Sequence, residues 1–347
     1  MDILKKLTEE FPSIREDRAQ NIIRLIDEGN TIPFIARYRK EMTGSCDDQV
    51  LREFNDRLTY LRNLEKRKEE VARAIEEQGK MTDEIAAALS AAATLTEVED
   101  IYRPYKQKKK TRASVAVERG LQPLADLILA QDPAADVDAE AEKYVDEEKG
   151  VPTAADAIAG AKDIIAEIVS DDAGVRKKLR NLFMKNGEVV TRLVNAEQEG
   201  AKTYEMYAEF SENVAEIKSH RVLAVNRGEK EGFLKVKVQF DDTIAKRIAG
   251  ASYVKGSGRA SELVREAVDD GYDRLIFPSI EREIRAALTE SASEQAIKMF
   301  EVNLKPLLMQ PPVKDKVTLG LDPAYRTGCK REKASSQKYR TLLQDAR

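Results

Sequence analysis

Residues 95–121 read LTEVEDIYRPYKQKKKTRASVAVERGL. The stretch opens as a helix, with a Thr96-x-x-Glu99 capping-box pattern. It closes as another helix, and a loop of one charge sign separates the two. Tyr102-Arg103-Pro104-Tyr105 leads into Lys106, Lys108, Lys109, Lys110 and Arg112, and between Tyr102 and Arg119 Glu118 is the only acid. Lysine and arginine neutralise phosphate, while tyrosine and arginine offer flat faces on which bases stack. That makes Arg103, Tyr105, Lys106, Lys108, Lys109, Lys110 and Arg112 candidate nucleic-acid contacts. The same pattern also fits a solvated loop whose lysines keep it soluble.

Working outward, the composition agrees with helices. Charged residues make up 35% of the 347 and aromatics 6%, with no Trp, which favours charged helix surfaces over a β-rich core. The net charge of -4 excludes a global field for nucleic acid, so any such binding is local. An acidic run follows the basic one, from Asp132 and Asp136 to Glu147 and Glu148. It reads as a solvated helix face, or as a surface that competes for the basic loop.

Towards the N-terminus, residues 13–40 read as two helices joined at Glu28-Gly29-Asn30-Thr31, with Gly29 suited to a helix C-terminus and Pro33 to a first turn. The second carries Arg37, Arg39 and Lys40, so the part at about 13–80 resembles a helix-turn-helix and these three are further candidate nucleic-acid contacts. Short helix pairs are also ordinary packing units. Asp47 then caps a helix to about Gln78, with Phe54, Leu58, Leu61, Leu64, Val71 and Ile75 at helical spacing. At 1.5 Å per residue it is about 50 Å long, so it is expected to bridge parts of the molecule.

Towards the C-terminus, helices are predicted at 121–131, 152–170 and from Asp172. Arg221 to Val225 and Phe233 to Phe240 break the pattern: Leu234, Val236, Val238 and Phe240 alternate with Lys235, Lys237 and Gln239. This predicts a single β-hairpin near 221–240 packed on helices. Helices resume at 241–250, 259–270, 279–290 and 291–309, the last opened by a Ser291-x-x-Glu294 box and interrupted by Pro306. Val317 to Leu321 reads as a buried strand without neighbours, and residues 331–347 as a disordered tail. The expected fold class is therefore mainly α and multi-helical, with a helical region over 1–310 and a linker and strand over 311–330.

Catalytic chemistry is sparse. His220 is the single histidine, with no nucleophile motif beside it. No P-loop, G-x-S-x-G or metal-ligand cluster occurs, and Gly256-Ser257-Gly258-Arg259 lacks the Lys-Ser/Thr pair of a phosphate loop. No cofactor and no metal are expected. Cys46 and Cys329 lie far apart, suggesting reduced thiols in a cytoplasm. No stretch approaches 18 apolar residues, so no membrane partner is expected. Asp322, at the end of a strand, is the one carboxylate placed as in metal-dependent phosphoryl transfer, a chemistry that needs further carboxylates.

TIPFIARYRKEMTG (31–44), LTEVEDIYRPYKQKKKTRA (95–113), KSHRVLAVNRGEKEGFLKV (218–236), DRLIFPSIEREIRAALTE (273–290) and VTLGLDPAYRTGCK (317–330) together resemble the bacterial Tex family of transcription accessory proteins. The resemblance implies a cytoplasmic, mostly helical, nucleic-acid-binding scaffold. In the family a helical region precedes an RNase H-like domain generally regarded as lacking nuclease activity, then helix-hairpin-helix modules and an OB-fold RNA-binding domain. The match covers the helical region and the first strand of the RNase H-like domain, and departs after Lys330, so a truncated copy is expected. Expected partners are RNA or DNA, single strands favoured, and the transcription machinery. The runner-up is a scaffold that docks on that machinery without touching nucleic acid.

Overall fold

Asp2 starts the chain's first helix by accepting the Lys5 N–H at 3.0 Å, and the computed structural model describes residues 2–107 and 109–311 in full, and 318–323 and 329–334 as backbone. Helix α1 (Ile3–Glu10) is followed by α2 (Glu16–Asp27), α3 (Ile32–Tyr38) and α4 (Lys40–Thr43). The turn between α2 and α3 falls at Gly29, whose φ of 81° suits glycine. Asp47 then accepts the Val50 N–H at 2.8 Å and opens α5 (Asp48–Glu76).

The long bridging helix is present, and what it bridges is two cores. Its first half contributes Leu51, Phe54, Leu58 and Leu61 to a cluster with Leu7, Ile22, Leu25 and Ile35. Its second half contributes Leu64, Val71 and Ile75 to a separate cluster with Leu89 and Val98. These last two come from α6 (Asp83–Ala91) and α7 (Leu95–Tyr102). The α7 cap lies two residues before the expected one. Thr94 accepts the Glu97 N–H at 3.2 Å, and the Glu97 carboxylate reaches back to the Ala93 N–H at 2.8 Å.

A 3-10 turn, Arg103–Tyr105, and the basic loop lead to α8 (Arg112–Glu118), α9 (Gln122–Ala130) and the short α10 (Val137–Ala141). Next come α11 (Ala154–Asp171) and α12 (Ala173–Asn186), the latter capped by Asp172 as expected, at 3.0 Å from the Val175 N–H. A sheet follows, formed by β1 (Glu188–Leu193), β2 (Glu209–Asn213) and, after α13 (Ser219–Lys230), β3 (Leu234–Gln239).

The expected hairpin at 221–240 is therefore corrected. Arg221 to Val225 is helical, because Val222, Val225 and Gly228 are buried at a spacing of three rather than two. The alternating half is a strand, with Leu234, Val236 and Val238 buried as its period requires. Its partner is the distant β1, in the order β2-β1-β3.

After α14 (Asp242–Gly250), the three helices expected between 259 and 309 are joined. α15 (Arg259–Gly271) passes through a π-helical turn, Tyr272–Ile276, into α16 (Phe277–Leu308). Ser291 sits inside α16 and caps nothing, and Pro306 does not end it. α15 packs closely on α11: a Cβ placed on Gly271 would lie 2.9 Å from the Ala166 carbonyl oxygen. The expected lone strand also has a neighbour. β4 (Thr318–Pro323) pairs antiparallel with β5 (Cys329–Ala334), Thr318 opposite Ala334. Residues 331–334 are thus strand, because pairing satisfies their backbone groups. The rest of the expected disordered tail, 335–347, lies outside the described residues.

The chain divides into two compact units. The first comprises residues 1–190, 211–215 and 237–284, and the second 191–210, 216–236 and 285–347. In the second, Tyr204 stacks on Phe233 with centroids 5.6 Å apart, and Asn226 donates to Thr289 at 2.9 Å.

Candidate nucleic-acid interface

The basic loop is rooted at both ends. On its N-terminal side the Gln78 side chain, just beyond the end of α5, donates to the Tyr105 carbonyl at 2.9 Å. On its C-terminal side Thr111 and Ser114 form a reciprocal capping box at the start of α8, at 3.0 and 2.8 Å. Lys106, Lys109 and Lys110, between those roots, and Arg112, the first residue of α8, are all exposed. Lys108 lies outside the described residues.

Their ion pairs are loose. Lys106 lies 3.7 Å from Glu99, and Lys110 lies 3.9 Å from Glu118 with both side chains well exposed. Contacts of that kind stabilise little and yield readily to a stronger anion. Tyr105 is half-buried, packed against the second core.

Arg103 is placed differently. It is drawn into a network beneath the loop, 3.5 Å from Asp171 and 3.5 Å from the Ser279 hydroxyl. Burial, with the nearby Arg176 guanidinium, pushes its pKa down. It holds the loop's root rather than presenting a free cation.

The centre of that network is a ring of four charges. Arg176 donates to Asp100 at 2.9 Å and to Glu283, and Arg180 donates to Asp100 at 2.8 Å and to Glu283 at 2.9 Å. Ser279 closes it, accepting from Arg176 at 3.0 Å and donating to Glu283 at 3.1 Å. Arg176 is fully buried. The ring ties α7, which leads into the loop, to α12 and to the start of α16. Its signal in the sequence is two i,i+4 pairs, Arg176 with Arg180 and Ser279 with Glu283, which look like ordinary solvated helix faces.

The ring implies an acid dependence. Burial pushes the Glu283 carboxyl up, but Arg176 and Arg180 outweigh it and hold it below the ordinary value. A carboxyl depressed on folding contributes stability above its unfolded pKa, and that contribution is lost as pH falls through the folded value. Asp163, raised by burial, works in the opposite sense. Thermal unfolding is therefore expected to shift less between about pH 5 and pH 3 in Glu283→Gln than in the parent chain. Equal shifts in the two would remove Glu283 from the acid response.

The second group of candidates sits on the first core. Arg37 and Lys40 are exposed, on α3 and α4. Arg39 folds over the Phe34 ring, 5.2 Å from its centroid, and donates to the Tyr38 carbonyl at 3.2 Å. Tyr38, 56% exposed, stands beside them in the chain and adds an aromatic face to the basic residues. Among the described residues, no group of His, Cys, Asp and Glu is placed to hold a metal ion. No described helix is long and apolar enough to cross a membrane. Asp322 lies on β4, opposite Lys330 in the register.

Comparison with known proteins adds an independent line. Residues 1–76 match the model of the Tex-like protein N-terminal domain, and residues 132–300 match the Tex central region-like model. YdcI of Bacillus subtilis is 46% identical over 330 residues, covering 94% of this chain and 46% of the relative. The transcriptional accessory protein Tex of Neisseria gonorrhoeae is 41% identical over 336 residues, covering 95% of this chain and 44% of the relative. The human S1 RNA-binding domain-containing protein 1 is 32% identical over 328 residues, covering 89% of this chain and 32% of the relative. The chain spans less than half the length of these curated relatives.

Proposed function

The chain belongs to the Tex family over its N-terminal and central regions, and from that premise we propose that it is a non-enzymatic transcription accessory factor whose basic loop holds the backbone of single-stranded RNA or DNA. The observation that carries this reading is the loop itself. Four exposed cations, Lys106, Lys109, Lys110 and Arg112, stand on a segment fixed at both ends. Fixing the ends lowers the ordering cost of binding, and the loose ion pairs give way to phosphate. Tyr105 offers part of a ring at the loop's base for stacking. Arg37, Lys40 and Tyr38 form a secondary patch, and Lys108 would add to the loop's charge. Names borne by the relatives, a transcriptional accessory protein and an S1 RNA-binding domain-containing protein, support a nucleic-acid setting. A cytoplasmic location goes with it.

The test is salt dependence. Neutralising about four phosphates gives a slope near -3 in log K against log salt for a single strand. The quadruple change Lys106→Ala, Lys109→Ala, Lys110→Ala and Arg112→Ala is expected to flatten that slope towards zero in a fluorescence titration with labelled oligonucleotides. An unchanged slope would place binding elsewhere or dismiss it.

A further inference from the structure

Beside the basic loop, within the first unit, lies an open groove of about 1100 Å³. Two of the helices that line it each carry one exposed apolar residue a turn beyond a buried one. α8 supplies Ala113 and Val117, and α11 supplies Ile164 and Ile168. Val117 is 46% exposed and Ile168 37%, so the floor is wetted apolar surface rather than closed core. Ile85 and Ile101 extend it.

The lining carries one sign of charge. Glu84, Asp100, Glu118, Glu167, Asp171 and Asp172 all contribute, and among the described residues that line it none is Lys, Arg or His. Some of these carboxylates are engaged from outside: Asp100 by Arg176, Asp171 by Arg103, Asp172 by the Tyr253 hydroxyl at 2.8 Å, and Glu118 loosely by Lys110 at 3.9 Å. Glu84, on α6, and Glu118, on α8, are exposed to solvent. An acidic rim repels phosphate, so the groove is a poor path for the strand assigned to the neighbouring loop. Covering the floor with aliphatic side chains would release its water, and cations beside them would meet the rim.

We propose that this groove docks a basic amphipathic segment of a protein partner, with Leu- or Ile-type side chains on the Val117–Ile168 floor and flanking Lys or Arg against Glu84 and Glu118. The site goes beyond the nucleic-acid reading and does not depend on it, although Tyr105, at the base of the loop, also lines the groove. Exposed Val117 and Ile168, with half-buried Ile85 and Ile101 beside them and carboxylates around them, match the apolar face and basic flank of an amphipathic helix.

The probe is a labelled amphipathic Leu/Lys helix of about eighteen residues, long enough to hold helical structure, with a Leu/Glu twin of the same pattern. Fluorescence anisotropy with the full chain is expected to show binding of the Leu/Lys peptide and none of the twin. Val117→Ser with Ile168→Ser should weaken it by about tenfold or more, with the helical circular-dichroism signal unchanged. Glu84→Lys with Glu118→Lys should do the same through the rim. Glu142→Lys with Glu148→Lys, in the acidic run away from the groove lining, should leave binding intact. Equal weakening by that control pair would mean general charge attraction, and binding that survives both groove pairs would place the peptide elsewhere. Either result overturns the proposal. If the serine pair weakens oligonucleotide binding as much as peptide binding, the groove is a nucleic-acid site and the proposal also falls.

Discussion

Arg176→Met is expected to destabilise the first unit by about 3–5 kcal/mol, the cost of breaking a buried ion pair from one side. Arg176 is fully buried and bonds Asp100, Glu283 and Ser279, so its loss leaves the two carboxylates with Arg180 as the one arginine bonded to both. The control is Arg62→Met. Arg62 meets Asp27 at 2.7 Å in good geometry, but both side chains are nearly half exposed, and that change should cost under about 1 kcal/mol. Urea denaturation followed by circular dichroism separates the two. Similar midpoints for both variants would show that the ring contributes no more than a surface pair. Adding Asp100→Asn to Arg176→Met should cost far less than it costs in the parent chain, since the carboxylate has already lost its partner. Because the ring anchors the helix that leads into the basic loop, trypsin should also cut the 106–112 lysines faster in Arg176→Met.

How much of this was visible beforehand depends on the range of the interaction. Helices with their own caps and apolar stripes were legible, since Asp47, Asp172 and the Phe54–Ile75 spacing act within a few residues. The β3 alternation was legible too, but its partner was not. β1 lies some forty residues upstream, and nothing local distinguishes that pairing from a hairpin. Val222 and Leu223 suggested a strand by their side-chain type, and burial at the Val222, Val225, Gly228 spacing prevailed over that propensity. The candidate site shows the same limit. Exposed lysines follow from composition alone, whereas Arg103 looked equivalent to them and is held below by Asp171 and Ser279, residues 68 and 176 positions away. The groove is less legible still, because it is lined by helices that the sequence offers no means of pairing.

Phe54→Ala should produce a loss of similar size, about 3–5 kcal/mol, with a different distribution. Phe54 is fully buried, its ring 5.4 Å from that of Phe11, in the cluster that α5 shares with α1, α2 and α3. The second cluster uses the far half of the same helix, with Leu64, Val71 and Ile75. A cavity in the first should therefore loosen α1 to α4 while α6 and α7 keep their packing. Hydrogen exchange reads this directly, with protection falling across residues 3–43 and holding across 83–102. A uniform drop across both would mean that α5 transmits the damage and the two clusters act as one core. The outcome bears on the interface, because the two sets of basic residues rest on different clusters. Arg37 and Lys40 ride on the first, whereas Lys106 to Arg112 are rooted through Gln78 and Tyr105 beside the second. If oligonucleotide affinity survives Phe54→Ala while residues 3–43 lose protection, the binding belongs to the loop. If affinity falls with that protection, the patch on α3 and α4 carries it.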